Sequence, residues 1–176
     1  MRKAVLYIGM SLDGFIADEY GSVDWMEGHE KESNELGTYM EFEKTVDTVI
    51  LGYNTYSQVV NELAVNDWPY QDKVSYVLTE KDIDDTENIH FGEANLKELI
   101  VDLKRDQGKD IWICGGANIV NQCILDDLID EYRIAILPVI LGKGIRLFND
   151  DNQNIKLQLH KKEEFNGMVE LTYTRR

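Results

Sequence analysis

Two hydrophobic periods alternate along this chain of 176 residues. Residues 4–10 form a near-continuous apolar run, the pattern of a central strand covered on both faces. Residues 11–28 mix Asp, Gly and Ser with Trp25 and Met26 and read as a long loop, a feature that in compact domains often serves as a lid. Leu36, Tyr39, Met40 and Glu43 fall at helical spacing, which predicts a first helix over residues 30–44. Residues 46–51 give a second strand, ended by Gly52. Tyr56, Val59, Val60 and Leu63 then repeat at i, i+3, i+4, i+7, so a second helix is expected. Residues 74–78 read as a third strand and residues 89–91 as a short fourth.

The clearest helix covers residues 96–105, where Leu96, Leu99, Ile100 and Leu103 form the stripe. Asn95 can cap it, Glu98 sits where it returns the hydrogen bond, and Lys104 and Arg105 suit its negative end. Residues 111–114 make another buried strand, stopped by Gly115-Gly116, and a helix follows over about residues 118–128. Residues 132–141 are strand-like, with Pro138 implying a bulge or an edge. The period then changes to two: Ile155, Leu157 and Leu159 alternate with polar residues, as do Val169, Leu171 and Tyr173. Asn166-Gly167 between them is a type I′ hairpin signal. The whole reads as α/β alternation: a mixed, mostly parallel sheet flanked by helices, closed by an antiparallel hairpin. Ligands of such sheets bind outside the carboxyl ends of the strands.

Composition narrows the partners. The length suits one domain, residues 1–176. Eighteen Lys and Arg stand against 33 Asp and Glu, a net charge of −15, which argues against a nucleic-acid binder or adhesion to an anionic membrane. The acidity is lopsided. Residues 1–104 hold 8 basic and 22 acidic side chains, whereas residues 105–176 hold 10 and 11. An anion would therefore be held in the second half mainly by backbone N–H groups and a few cations. Two cysteines cannot make a disulfide framework, and no apolar run is long enough to span a bilayer, so a cytoplasmic location is expected. His29, His90 and His160 are scattered, and Asp150-Asp151 lacks a calcium-loop pattern, so no metal is expected.

Several short segments converge on the predicted carboxyl ends. Gly115-Gly116-Ala117-Asn118 lies between a strand and a helix start, where missing Cβ atoms and free N–H groups would admit a phosphate, or where the chain simply turns. Gly52-Tyr53-Asn54-Thr55 could present a hydroxyl and N–H groups to a second phosphate, though alone it is an ordinary connection. In Ser11-Leu12-Asp13-Gly14, Asp13 could donate a proton or merely close an Asx turn. Gly142-Lys143-Gly144, with Arg146, could meet an anionic substrate or only turn the chain. Lys81 is a solvated lysine unless a nucleotide lies nearby.

Together these segments resemble the dihydrofolate reductase fold, and more closely the reductase domain of bifunctional riboflavin-biosynthesis proteins, over essentially the whole chain. Residues 11–17, Ser-Leu-Asp-Gly-Phe-Ile-Ala, are similar to the first-loop motif S-x-D-G-x-I-A. Residues 49–56 are similar to the hydrophobic-G-R-x-T nucleotide turn, and residues 113–116 to the Gly-Gly turn before a helix. Residues 130–148 resemble the stretch D-E … P-v-l-l-G-x-G … L-F.

The resemblance implies one domain that binds NADPH, with NADH not excluded, and passes hydride to a small heterocycle or a ribosylamino group. In that reading Gly115 and Gly116, the latter after a cis peptide, cradle nicotinamide and pyrophosphate together with Ala117 and Asn118. Gly52, Tyr53, Asn54 and Thr55 meet phosphate, and Thr79 and Lys81 lie near the adenosine ribose. The loop of Ser11, Asp13 and Trp25 closes over the nicotinamide and substrate, with Asp13, or a water it holds, as proton source. Arg133, Lys143 and Arg146 are candidates for a substrate phosphate. A homodimer is also implied.

Four departures stand out. Tyr53 replaces the arginine of the nucleotide turn, and Ala117 replaces a third glycine. No arginine lies between Arg2 and Arg105, where the folate branch needs one for the substrate's tail. The position of the folate enzyme's helix carboxylate falls near Leu36, one step from Glu35. The expected activity is therefore riboflavin-type reduction, 5-amino-6-(5-phosphoribosylamino)uracil reductase-like. The alternatives are a pterin or dihydrofolate-type reductase, or a non-catalytic nucleotide-binding domain of the same fold.

Overall fold

The computed structural model describes residues 1–30, 37–65 and 67–176. In chain order these form β1 (Ala4–Ser11), β2 (Phe15–Ala17), α1 (Tyr39–Glu43), β3 (Val46–Gly52), α2 (Tyr53–Gln58) with a π-helical turn (Val59–Leu63), β4 (Val74–Leu78) and β5 (Ile89–Gly92). There follow α3 (Leu96–Arg105), β6 (Asp110–Gly115), α4 (Ala117–Leu125), β7 (Glu131–Leu137), β8 (Ile145–Arg146), β9 (Leu157–Phe165) and β10 (Met168–Arg175).

Eight strands make one sheet in the order β5-β4-β3-β6-β1-β7-β10-β9. The pairs from β5 to β7 are all parallel, and β10 and β9 add antiparallel strands at one side. This is the mixed sheet that the hydrophobic pattern predicts. Alternation within the strands sends Ala4, Leu6, Ile50, Ile111 and Ile113 to one face, where α3 and α4 pack on them. Val5, Val49, Leu51 and Trp112 go to the other face, under Phe42 of α1.

The expected helices are trimmed. Asn95 caps α3 through Lys97 and Glu98 as its sequence indicates. The helix expected over residues 30–44 is described only as α1; Leu36 and Glu35 lie outside the described residues, and Gly37, at φ 55°, breaks the pattern just before it. The second helix starts earlier, at Tyr53, and widens to the π-helical turn at Val59. The strand expected to run through Pro138 instead stops at Leu137. It is neither bulged there nor at an edge, since β7 lies between β1 and β10, and a ring without an N–H cannot continue the ladder. The hairpin turn is as expected, with Asn166 and Gly167 both at positive φ (44° and 77°). The small β2–β8 sheet, which joins the first loop to Ile145 and Arg146, has no signature in the hydrophobic pattern.

Candidate active site

The chain reverses its winding at one place in the sheet. From β1 it travels past α1, over the face of Val5 and Trp112, to β3 on one side. From β6 it travels through α4, over the opposite face, to β7 on the other side. The loops after β1 and β6, adjacent strands, thus part in opposite directions and leave a crevice at their carboxyl ends. Tyr7, Ile8, Gly9 and Met10 are partly exposed there, although β1 lies at the centre of the sheet.

The Gly-Gly turn forms one wall. Gly115 has φ 122°, a conformation that side chains rarely adopt, and its peptide bond to Gly116 is cis. Gly116 then caps α4, whose first N–H groups, at Ala117 and Asn118, follow directly. A Cβ on Gly116 would stand 3.4 Å from Thr55 Oγ1, and one on Gly52 would stand 3.4 Å from Ile119. The turns after β3 and β6 therefore pack together, with the side chains of Thr55 and Ile119 set against the two bare glycines. Asn121, buried in α4, donates to the carbonyls of Ala117 (2.6 Å) and Leu147 (2.9 Å) and so ties this helix start to the Leu147-Phe148 segment.

Tyr53 and Lys81 meet at the edge of the crevice. Lys81 Nζ lies 3.8 Å from the Tyr53 ring centroid, and Lys81 N donates to Thr79 Oγ1 (3.0 Å). Replacing arginine by Tyr53 thus does not remove positive charge from this turn, because β4 delivers a lysine to the same spot.

The first loop is fastened from several directions. Ser11 Oγ donates to Asp13 (2.7 Å) and accepts from Phe15 N (2.9 Å); Leu141 N (3.1 Å) and Gly142 N (2.7 Å) also donate to the Asp13 carboxylate. Gln58 Nε2 donates to Gly21 O (2.8 Å), and His29 N to Asn166 O (3.0 Å). Trp25 is partly buried within the loop and donates to Ser22 O.

This changes two assignments. The Ser11 hydroxyl above all, with the backbone N–H donors, lowers the Asp13 pKa to about 2, so Asp13 is ionised at neutral pH and fastens the loop. That leaves a water it holds, rather than the carboxyl itself, as the proton source that the resemblance implies. Ser11 is fully buried with its hydroxyl engaged, which removes it as a substrate contact.

The three cations assigned to a substrate phosphate are engaged separately. Arg133 bonds Glu131 (2.6 Å) and lies over Phe42, Lys143 pairs with Glu19 (2.5 Å), and Arg146 covers Phe15 at 4.7 Å. Sequence proximity put Lys143 and Arg146 together, but β8 turns Arg146 onto Phe15 in the small sheet.

One group was missed altogether. Glu170, on β10, is buried on the face of Phe42 and accepts from the hydroxyls of Tyr7 (2.9 Å) and Thr38 (2.5 Å to each oxygen). A glutamate within an alternating strand gives no sequence signal of this kind. Among the described residues no cluster of three or more His, Cys, Asp or Glu side chains could hold a metal, and no helix is long and apolar enough to cross a membrane.

Comparison with known proteins matches this geometry. The model of the family described as the RibD C-terminal domain matches residues 2–170. The uncharacterized protein YwjB of Bacillus subtilis is 43% identical over 175 residues, 99% of this chain and 98% of that one. A Shewanella sp. PV-4 structure provisionally assigned to riboflavin biosynthesis superposes with a TM-score of 0.85 at 27% identity, covering 99% of both chains. The Thermotoga maritima diaminohydroxyphosphoribosylaminopyrimidine deaminase/5-amino-6-(5-phosphoribosylamino)uracil reductase has a TM-score of 0.72 at 14% identity, covering 99% of this chain and 57% of that one. Dihydrofolate reductase from Enterococcus faecalis, complexed with NADP(H), has a TM-score of 0.67 at 18% identity, covering 99% and 96%. The fold is that of dihydrofolate reductase.

Proposed function

This chain belongs to the RibD C-terminal domain family, and from that premise we propose that it is a nicotinamide-dependent reductase of a small heterocyclic or ribosylamino substrate, with NADPH favoured over NADH. The observation that carries the reading is the crevice between β1 and β6. Beside it the turns after β3 and β6 pack together, with Thr55 against Gly116 and Ile119 against Gly52, next to a helix start and a lysine-bearing edge.

The residues fit a dinucleotide. Gly115, Gly116 and the first N–H groups of α4 would hold its pyrophosphate, Thr55 a second phosphate oxygen, and Lys81 on Tyr53 a phosphate on the adenosine ribose. When bound, such a cofactor supplies the hydride. The chain itself binds, orients and shields. Asp13 holds Leu141 and Gly142 against the first loop, and Gln58 holds Gly21, so the loop is fastened from both sides and keeps bulk water off the reacting ring.

Calorimetric titration with NADPH and NADH tests this. Tighter binding of NADPH is expected, with Lys81→Ala cutting that preference about fivefold, a loss of about 1 kcal/mol typical of one exposed charge-assisted contact. Failure to bind either nucleotide overturns the reading. Binding without reduction of 5-amino-6-(5-phosphoribosylamino)uracil or a dihydropterin would instead favour a nucleotide-binding domain without catalysis.

A further inference from the structure

The strand register builds a shelf in the crevice that none of the sequence motifs marks. Glu170 on β10 lies directly opposite Ala135 on β7, and Ala135 is paired with Gly9 on β1. Residues opposite one another share a face. Gly9 shares that face with Tyr7, two residues before it. On the next strand, a Cβ at Gly115 would touch Ile8, so the Gly-Gly turn stands at the same level. Ile8 faces the other side of the sheet, so one row across three strands runs from a carboxyl group, over a methyl group, to a bare backbone, and ends one strand short of the turn assigned to the cofactor. Gly9 and Ala135 are both partly exposed, and a Cβ at Gly9 would come within 3.1 Å of Leu137. Three strand spacings of about 4.8 Å separate Glu170 from that turn.

The polar end of the shelf has spare capacity. A carboxyl group offers about four acceptor positions. Among the described residues Glu170 fills these with the hydroxyls of Tyr7 and Thr38 alone, and it joins none of the ion pairs formed there. The charged groups whose fields reach this cluster are themselves committed: Arg133 to Glu131, and Lys161 to Glu163 at 2.8 Å. Tyr7 cannot swing away. Its ring stacks on Phe42 (4.4 Å, 12°) and meets Trp112 edge-on, and burial raises its pKa, so it remains a hydroxyl donor. Buried acceptors without partners are costly, which favours a ligand that brings N–H groups to this spot.

We propose that Glu170, positioned by Tyr7 and Thr38, is the specificity-determining group of the substrate shelf, and that it selects a flat heterocycle presenting ring N–H donors at the edge away from the cofactor. The proposal rests on the reductase reading only for which molecule lies at the opposite end of the shelf. It puts on the last strand a carboxyl group of the kind that the folate branch carries on its first helix.

The test uses two probes on the intact chain: 5,6-diaminouracil, and its 1,3-dimethyl derivative, which lacks both ring N–H donors. Binding is followed by protein NMR titration without nucleotide, so that it stands or falls apart from cofactor binding. The unmethylated probe is expected to bind at least tenfold more tightly, with shifts at Gly9, Ala135 and Glu170. Glu170→Gln should abolish the discrimination while leaving NADPH affinity unchanged. Tyr7→Phe keeps the aromatic stack and should weaken it severalfold, which preserves the test if Glu170→Gln fails to fold. Equal binding of the two probes, no binding of either, or undiminished discrimination in the folded variants overturns the proposal.

Discussion

Two carboxyl groups at opposite ends of the molecule are satisfied in different ways. At the amino ends of the strands, Asp47 pairs with the guanidinium of Arg2, which is itself buried and also donates to Thr48 Oγ1 (2.5 Å), Lys109 O (2.5 Å) and Leu103 O (3.3 Å). On the face beside the crevice, Glu170 is more deeply buried and, among the described residues, meets two hydroxyls and no cation. The first arrangement answers a charge with a charge and spends its donors on backbone carbonyls, which is how a structural knot closes a sheet end. The second leaves acceptor capacity open where the central strand is exposed. A polar group placed for stability is saturated; one placed for recognition is left partly unfilled.

Removing a partner from each should separate them. Arg2→Ala breaks four hydrogen bonds at once, the ion pair with Asp47 among them. It is expected to cost about 3 kcal/mol in urea unfolding, toward the low end for breaking a buried pair because Asp47 is partly exposed. Tyr7→Phe should cost less, about 1–2 kcal/mol, since the stack on Phe42 survives and a single neutral donor is lost. If Tyr7→Phe proved as damaging as Arg2→Ala, the contrast would fail, and Glu170 would be another structural knot.

The same contrast explains what could be read in advance. Strands β1, β3 and β6 were legible because a strand covered on both faces must be apolar throughout, and Gly52 and Gly115-Gly116 announce where each ends. The crevice is built from those strand ends, so its place in the sheet was legible too, and comparison with Shewanella and Enterococcus structures bears out the fold. Glu170 was not, because its meaning comes from a register across three strands, and an alternating polar position looks the same whether it faces solvent or a cavity. Pro138 misled for a related reason: its ring tells that the ladder stops, not on which side of the stop it lies. Arg133, Lys143 and Arg146 looked like one group because charges close in sequence suggest a patch. The alternation of β7 and the pairing of β8 with β2 give each a different neighbour.

Asp13 supplies the smallest and most local test. Its pKa in the folded chain, about 2, lies below the value of about 3.9 for an unfolded aspartate, so the unfolded state binds the proton more readily. Its contribution is therefore complete above about pH 4 and fades as pH falls through about 2. Within the neutral range its charge does not change, and no ionisation assignable to Asp13 should appear in a rate profile between about pH 5 and 8. An NMR titration of the side-chain carboxyl should give a midpoint near 2; one near 4 would mean that the clasp to Leu141 and Gly142 is not made in solution. At neutral pH, Asp13→Ala should speed amide exchange at Gly142 and Leu141 while leaving exchange at Ile50 and Ile113 in the core unchanged, because only the fastener is cut. Faster exchange throughout the sheet would show instead that the first loop contributes to global stability, and Asp13 would then stand with Arg2 rather than with the crevice.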